Sequence, residues 1–247
     1  MTLPLVLLHG WNTNSACWRP LQQLAAEREL LPVDFPGHGQ RRNEPCPDTL
    51  DQLAEDALDR APAQALWCGW SLGSMLAMRA AIRAPDRIKG LILISPTPRF
   101  INGDGWDRGV DRSLLEQFSN AIAEDPVAGL KRFTLLVFES CSDVRRRSRH
   151  FYQQLQAGGS ANPQALEAGL HILAATDLRA QIREIGQPVR LLTGRHDRIC
   201  PATAAHWLAE TALWPLTEVD DGHAPMLEQA DLILQMADQL EAELCHV

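Results

Sequence analysis

Five short apolar runs, Leu5–Leu8, Leu30–Phe35, Ala65–Cys68, Leu91–Ile94 and Val189–Thr193, limit what this chain can fold into more than any other feature. Runs of four to six mostly apolar residues without regular alternation read as strands buried on both faces. Helical spacing separates them. Leu50, Leu53, Ala54, Ala57 and Leu58 fall at i, i+3, i+4, i+7 and i+8, one apolar stripe of a helix opened by Asp48 or Thr49. A second helix is predicted from about Leu72 to Arg83, with Pro85 stopping it. Strands that alternate with helices pair in parallel, because the helix supplies the crossover, so the expected fold is a mostly parallel α/β sheet with helices on both faces.

The alternation breaks between residues 99 and 186. Helical patterns occupy that stretch, around Leu114–Ile122, Val127–Phe138, Val144–Leu155 and Pro163–Ala174, before a strand resumes at PVRLLTG. The expected organisation is a core of residues 1–98 and 187–247 with residues 99–186 inserted as a helical cap. A cap belongs over the carboxyl edge of the strands, where open α/β sheets bind ligands.

Composition narrows the class. With 45% hydrophobic residues over 247 positions the chain can fill one large core, which excludes disorder. Against 31 acidic residues stand 23 Lys and Arg, a formal charge of -8 that argues against a nucleic-acid partner. The six cysteines are scattered, with no CxxC, and read as small buried thiols in a reducing cytosol. The start, MTLPLVLLHGW, lacks a basic leader and a cleavage site, and no apolar run reaches the ~20 residues of a membrane span. A cytoplasmic monomer with no membrane partner is expected.

The chemistry is carried by Gly69-Trp70-Ser71-Leu72-Gly73, set between a strand and a helix. That context is the one a nucleophile elbow requires: a turn so tight that only glycines flank it, with Ser71 projecting above the sheet. The helix N-terminus beneath it favours developing negative charge. A serine needs a base, and eight histidines compete. His223, in the Asp220-Asp221-Gly222-His223-Ala224-Pro225 turn, follows the last weak strand and can reach over the nucleophile. His9 reads as an organiser of its loop, His38 lies in the PGHG turn, and His196 neighbours the acid. His150, His171 and His206 fall on predicted helices, and His246 in the tail. The orienting carboxylate should follow a strand and precede His223. Asp197 in GRHDRICP meets both conditions; Asp220 and Asp221 read as turn-formers and Asp34 comes too early. Oxyanion donors are expected from the backbone N–H groups of Leu72 and Trp11. No metal or organic cofactor is required.

At this point the chain resembles the α/β-hydrolase superfamily over nearly its whole length, through LLHGW, VDFPGHG, GWSLG, GRHDRICP and DDGHAP. LLHGW with a nearby CW, the GWSLG elbow, KRF and EAGLHILAATDLRAQI further resemble the carrier-protein methyl ester esterases of biotin synthesis. The resemblance implies a substrate pocket lined by Trp11, Leu72, Phe133, Thr134, Leu135, Leu136, Val137 and His223. It implies a partner, an acyl carrier protein bearing a methyl pimeloyl group, docked on Arg132, Arg145 and Arg149. Two departures are expected to matter: the hairpin such proteins carry upstream is missing or shortened, and a basic position near Ala128 is replaced by Lys131 nearby.

Charge supports a docking face independently. Residues 111–185 hold nine basic and nine acidic residues, so the rest of the chain carries the whole negative charge. Within Lys131–Arg149 six basic residues face two acidic ones, and Arg145 and Arg149 share a helix face at i, i+4. Two other readings stay open: an esterase, lactonase or thioesterase for free small molecules, and a non-catalytic receptor or scaffold on the same fold.

Overall fold

The computed structural model describes residues 2–25, 27–139 and 141–245, so His246 lies outside the described residues. Six strands, β1 (Leu5–Leu8), β2 (Leu30–Val33), β3 (Ala65–Trp70), β4 (Ile88–Ile94), β5 (Val189–Gly194) and β6 (Leu216–Val219), form one parallel sheet. Their order is β2-β1-β3-β4-β5-β6. The chain moves outward from β1 to β2, then returns past β1 to β3, so the strand order reverses between β1 and β3. In open parallel sheets the crevice at such a reversal, outside the carboxyl ends of the strands, is where ligands bind. The loops bearing Trp11 and Ser71 leave those two ends.

Nine helices flank or interrupt the sheet among the described residues: α1 (Arg19–Leu24), α2 (Leu50–Arg60), α3 (Leu72–Arg83), α4 (Arg112–Glu124), α5 (Pro126–Val137), α6 (Val144–Gly158), α7 (Pro163–Ala175), α8 (Ala202–Ala212) and α9 (Ala230–Leu244). Thr49, not Asp48, opens α2: its hydroxyl accepts the Gln52 N–H at 3.3 Å. Leu5, Val6, Leu7 and Leu8 are fully buried, each contributing about 1.5–3 kcal/mol of apolar burial. The edge strand β2 differs from expectation. Water reaches its outer side, so Leu30, Leu31 and Pro32 are only half-buried, and Pro32 is tolerated because an edge strand has a side with no ladder to complete.

Between β4 and β5 the chain builds α4–α7. Residues 99–110 are not helical; they form a small loop closed by the Ile101–Val110 and Gly103–Trp106 bridges. Both ends of the insertion meet. Leu178 N–H donates to the Pro98 carbonyl at 2.8 Å, and Arg99 bridges to Asp177 in backbone and side chain. The helices can therefore be long and varied without disturbing the β4–β5 pairing from which they depart.

Candidate active site

Ser71 stands between β3 and α3 with φ 57° and ψ -117°, a conformation that costs a non-glycine residue about 1–3 kcal/mol. Hydrogen bonds hold it there. Its N–H donates to the Ile94 carbonyl at 2.9 Å, and its carbonyl accepts from Ser74 N–H at 2.8 Å and Ser74 Oγ at 2.6 Å. The flanking glycines are steric necessities. A Cβ on Gly69 would lie 2.1 Å from the Gly73 carbonyl oxygen, and one on Gly73 would lie 2.3 Å from that of Leu8.

Three side chains from three strand ends meet at this turn. Ser71 Oγ is 3.0 Å from His223 Nε2, and His223 Nδ1 is 2.8 Å from Asp197 Oδ2. Asp197 Oδ1 accepts the N–H groups of Ile199 (2.8 Å) and Cys200 (2.9 Å), leaving Oδ2 for the imidazole. All three residues are buried. A hydroxyl, an imidazole and a carboxylate in this line can move a proton from Ser71 to His223 while Asp197 stabilises the imidazolium. The Cys200 thiol, beside Ser71, is pushed well above its ordinary range by burial and by the charge of Asp197, so it stays protonated.

The remaining histidines are occupied elsewhere. His9 Nε2 accepts the Phe35 N–H at 3.0 Å, which places its proton on Nδ1, 2.8 Å from the Gly10 carbonyl. Burial, with His38 close by, lowers His9 to about 3, and burial lowers His38 to about 4, so both are neutral braces of their loops. His196 pairs with Asp220 and His206 with Glu218, each at 2.8 Å on the surface. His150 contacts Gln154, and His171 reaches the Asp48 carbonyl.

The two expected oxyanion donors follow β1 and β3. Leu72 N–H heads α3, where no earlier carbonyl of the helix can take it. Neither it nor Trp11 N–H donates to another group among the described residues. The Trp11 side chain is locked into the insertion: Nε1 donates to the Leu166 carbonyl at 2.9 Å, and the ring meets Phe118 and Phe133, each 5.3 Å between centroids. Gly169 makes the space, since a Cβ there would sit 2.5 Å from Trp11 Cδ1.

Helix α5 divides the run 133–137. Phe133, Thr134 and Val137 are buried, whereas Leu135 is 46% exposed and Leu136 half-buried. A helix turns 100° per residue, so five consecutive side chains cannot line one wall. Leu135 and Leu136 instead line an outer cleft of about 350 Å³ with Arg132, Leu114, Gln117 and Phe118. Phe118 is thus the shared wall between that cleft and Trp11. Arg132, Arg145 and Arg149 are exposed, and none makes an ion pair among the described residues.

Several contacts were not anticipated from the sequence. Trp70 Nε1 (2.7 Å) and Ser95 Oγ (3.0 Å) both donate to the His223 carbonyl, and His223 N–H donates to the Val137 carbonyl at 3.1 Å. Asp221, read as a turn-former, is buried and bound to Arg147 and Cys141 at 3.0 and 2.9 Å; it does not touch the His223 ring among the described contacts. The glycine inside the helical stretch EAGLHIL was the available signal for the Trp11 seat, because a mid-helix glycine needs a packing reason. Among the described residues no three His, Cys, Asp or Glu side chains are gathered as metal ligands.

Residues 5–236 match the alpha/beta hydrolase family. The chain is 37% identical to a pimeloyl-[acyl-carrier protein] methyl ester esterase of Nitrosomonas europaea, over 96% of this chain and 94% of that one. It is 36% identical to the protein of the same name from Xanthomonas oryzae, over 97% and 95% of the two chains. Among solved structures it is similar to an esterase from Exiguobacterium antarcticum, with a TM-score of 0.84 at 19% identity, covering 96% of this chain and 92% of that one. Elbow, strand order and these likenesses agree: the chain is an enzyme of the alpha/beta hydrolase family.

Proposed function

We propose that the enzyme is a serine carboxylesterase that hydrolyses the methyl ester of a pimeloyl group carried on an acyl carrier protein, with Ser71, His223 and Asp197 as its triad. The observation that carries this reading is the hydrogen-bonded line Ser71–His223–Asp197 in a chain similar over 96% of its length to a relative of that name. His223 takes the hydroxyl proton as Ser71 Oγ attacks the ester carbonyl, and the N–H groups of Trp11 and Leu72 receive the oxyanion. The tetrahedral intermediate expels methanol, protonated by His223. Water then gives its proton to His223, attacks the acyl-serine and releases the free carboxylate.

The substrate also carries a thioester, which is the more reactive acyl group, so position must decide which bond breaks. In this reading the helical insertion, residues 99–186, acts as a cap. The carrier docks on the face bearing Arg132, Arg145 and Arg149, and the acyl chain passes through the cleft of Leu114, Leu136 and Phe118 toward Trp11. The methyl ester then reaches Ser71 while the thioester stays outside. The enzyme works as a cytoplasmic monomer beside its carrier.

The test is intact mass measurement of methyl pimeloyl-carrier protein after incubation. The carrier should lose one CH₂ unit and keep its acyl chain. Loss of the whole acyl group would mean thioesterase activity, and no change beside rapid cleavage of free esters would mean a small-molecule esterase.

A further inference from the structure

The loop that carries His223 is gripped from two directions. On the sheet side Trp70 and Ser95 hold the His223 carbonyl; on the insertion side the Val137 carbonyl takes its N–H. Two residues earlier lies Asp221, 6% exposed, whose carboxylate accepts Gly222 N–H (2.7 Å), Cys141 Sγ (2.9 Å) and Arg147 Nη2 (3.0 Å). A buried carboxylate is tolerated only with a cation and full hydrogen bonding, and breaking one partner of such a pair is strongly destabilising locally. The cation comes from the insertion. Arg147 projects inward from α6 with its side chain 12% exposed and its guanidinium 4.9 Å from the centre of the Phe138 ring. Its neighbours Arg145, Arg146 and Arg149 on the same helix are exposed.

We infer that Arg147 is a positioning residue for ester hydrolysis: through Asp221 it fixes the loop that keeps His223 Nε2 within reach of Ser71 Oγ. The inference rests on the reading of His223 as the general base. It assigns Asp221 a role distinct from that of Asp197: Asp197 orients the ring, whereas Asp221 anchors the backbone that bears it. It also makes the insertion part of the machinery for any ester, free or carrier-bound, because the countercharge of the histidine loop resides there.

The experiment is steady-state hydrolysis of a short p-nitrophenyl ester. Arg147→Met should lower kcat roughly tenfold to a hundredfold, the scale of an ångström-sized misplacement, with little change in KM. Arg147→Lys, which restores a point charge without the planar fork, should recover part of the loss. Asp221→Asn should resemble Arg147→Met, and the double variant should be no worse than either single change, as for two members of one contact. Arg146→Met, on the exposed side, should behave as wild type. In a His223→Asn background Arg147→Met should cost nothing further. Wild-type kcat in Arg147→Met or Asp221→Asn, a loss residing only in KM, or multiplying losses in the double variant would each overturn the clamp. Should Arg147→Met not fold, Arg147→Lys and Asp221→Asn decide the matter alone. Full turnover by His223→Asn would remove the underlying reading of the base, an outcome distinct from an inactive His223→Asn beside a normal Arg147→Met.

Discussion

At the carboxyl edge of the sheet every candidate reacting group is buried and carried on a loop that leaves a strand end, with His223 also held by the Val137 carbonyl, whereas on the outer face of the insertion the basic residues stand exposed. Ser71, Asp197 and His223 are each at most 7% exposed. Lys131, Arg132, Arg145 and Arg149 lie in solvent without an ion pair among the described residues; Arg146 pairs with Asp143, and Arg147 turns inward to Asp221. The difference teaches how the work divides. Bond breaking needs groups held to a fraction of an ångström, which packed strand ends supply together with the inward-facing contacts of Val137 and Arg147. Recruiting a large acidic partner needs a field, which works best from long side chains in water.

The steepest way to break the comparison is at the sheet. Ser71→Ala should lower ester turnover by at least about three orders of magnitude, while its melting temperature stays near wild type, because the hydroxyl is used in chemistry and not in packing. Retained turnover on a p-nitrophenyl ester would end the assignment of the nucleophile. Asp197→Asn should follow with a loss of about 10⁴ in kcat, since the amide cannot hold the required imidazole tautomer. Asp221→Asn, by contrast, should stay within about a hundredfold of wild type, which separates the two carboxylates.

On the insertion the expected effects are smaller and selective. Exposed ion pairs contribute about 0–1 kcal/mol each, so reversing Arg145 and Arg149 to Glu should raise KM for the carrier-bound ester roughly tenfold. Hydrolysis of a free ester should barely change, which steady-state comparison of the two substrates would show.

A last effect, on stability and not on turnover, concerns the loops beside the site. His9 and His38 are neutral in the fold, lowered to about 3 and about 4 by burial, but protonate near 6.5 when unfolded. Below about pH 6.5 the unfolded chain therefore binds more protons. Their contribution to stability is complete above that pH and is lost as pH falls toward the folded values, at about 1.4 kcal/mol per pH unit for each. Replacing His38 with Asn should make the fall in melting temperature between about pH 7 and about pH 5 shallower; an unchanged slope would contradict the neutral state of His38.

The same division governs what the sequence made legible. Strand–helix alternation and the GWSLG turn made the sheet and the Ser71 turn legible, because apolar period and turn sterics are local properties, whereas Asp197 and His223 were candidates by their place in loops after late strands. Where an element's environment is set by remote partners, local pattern was silent. Leu30–Phe35 is largely apolar, yet β2 lies at the edge; nothing in its own residues says which strand neighbours it. The resemblance placed the whole run Phe133–Val137 in the pocket lining, whereas helix geometry turns Leu135 outward, 46% exposed. Asp221 looked like a turn residue because its partner, Arg147, is 74 positions away. The i, i+4 spacing of Arg145 and Arg149 was readable for the opposite reason: it depends on α6 alone.

The central claim is that the sheet carries the reacting groups and the exposed arginines of the insertion choose the substrate by charge. The most direct measurement is kcat/KM against ionic strength for two substrates of one enzyme, the carrier-bound methyl ester and a free short-chain methyl ester. Docking on an exposed arginine face predicts a steep fall with added salt for the carrier-bound ester, as the screening length drops below ~8 Å, and a flat line for the free ester. Two flat lines, or two equal declines, would contradict it.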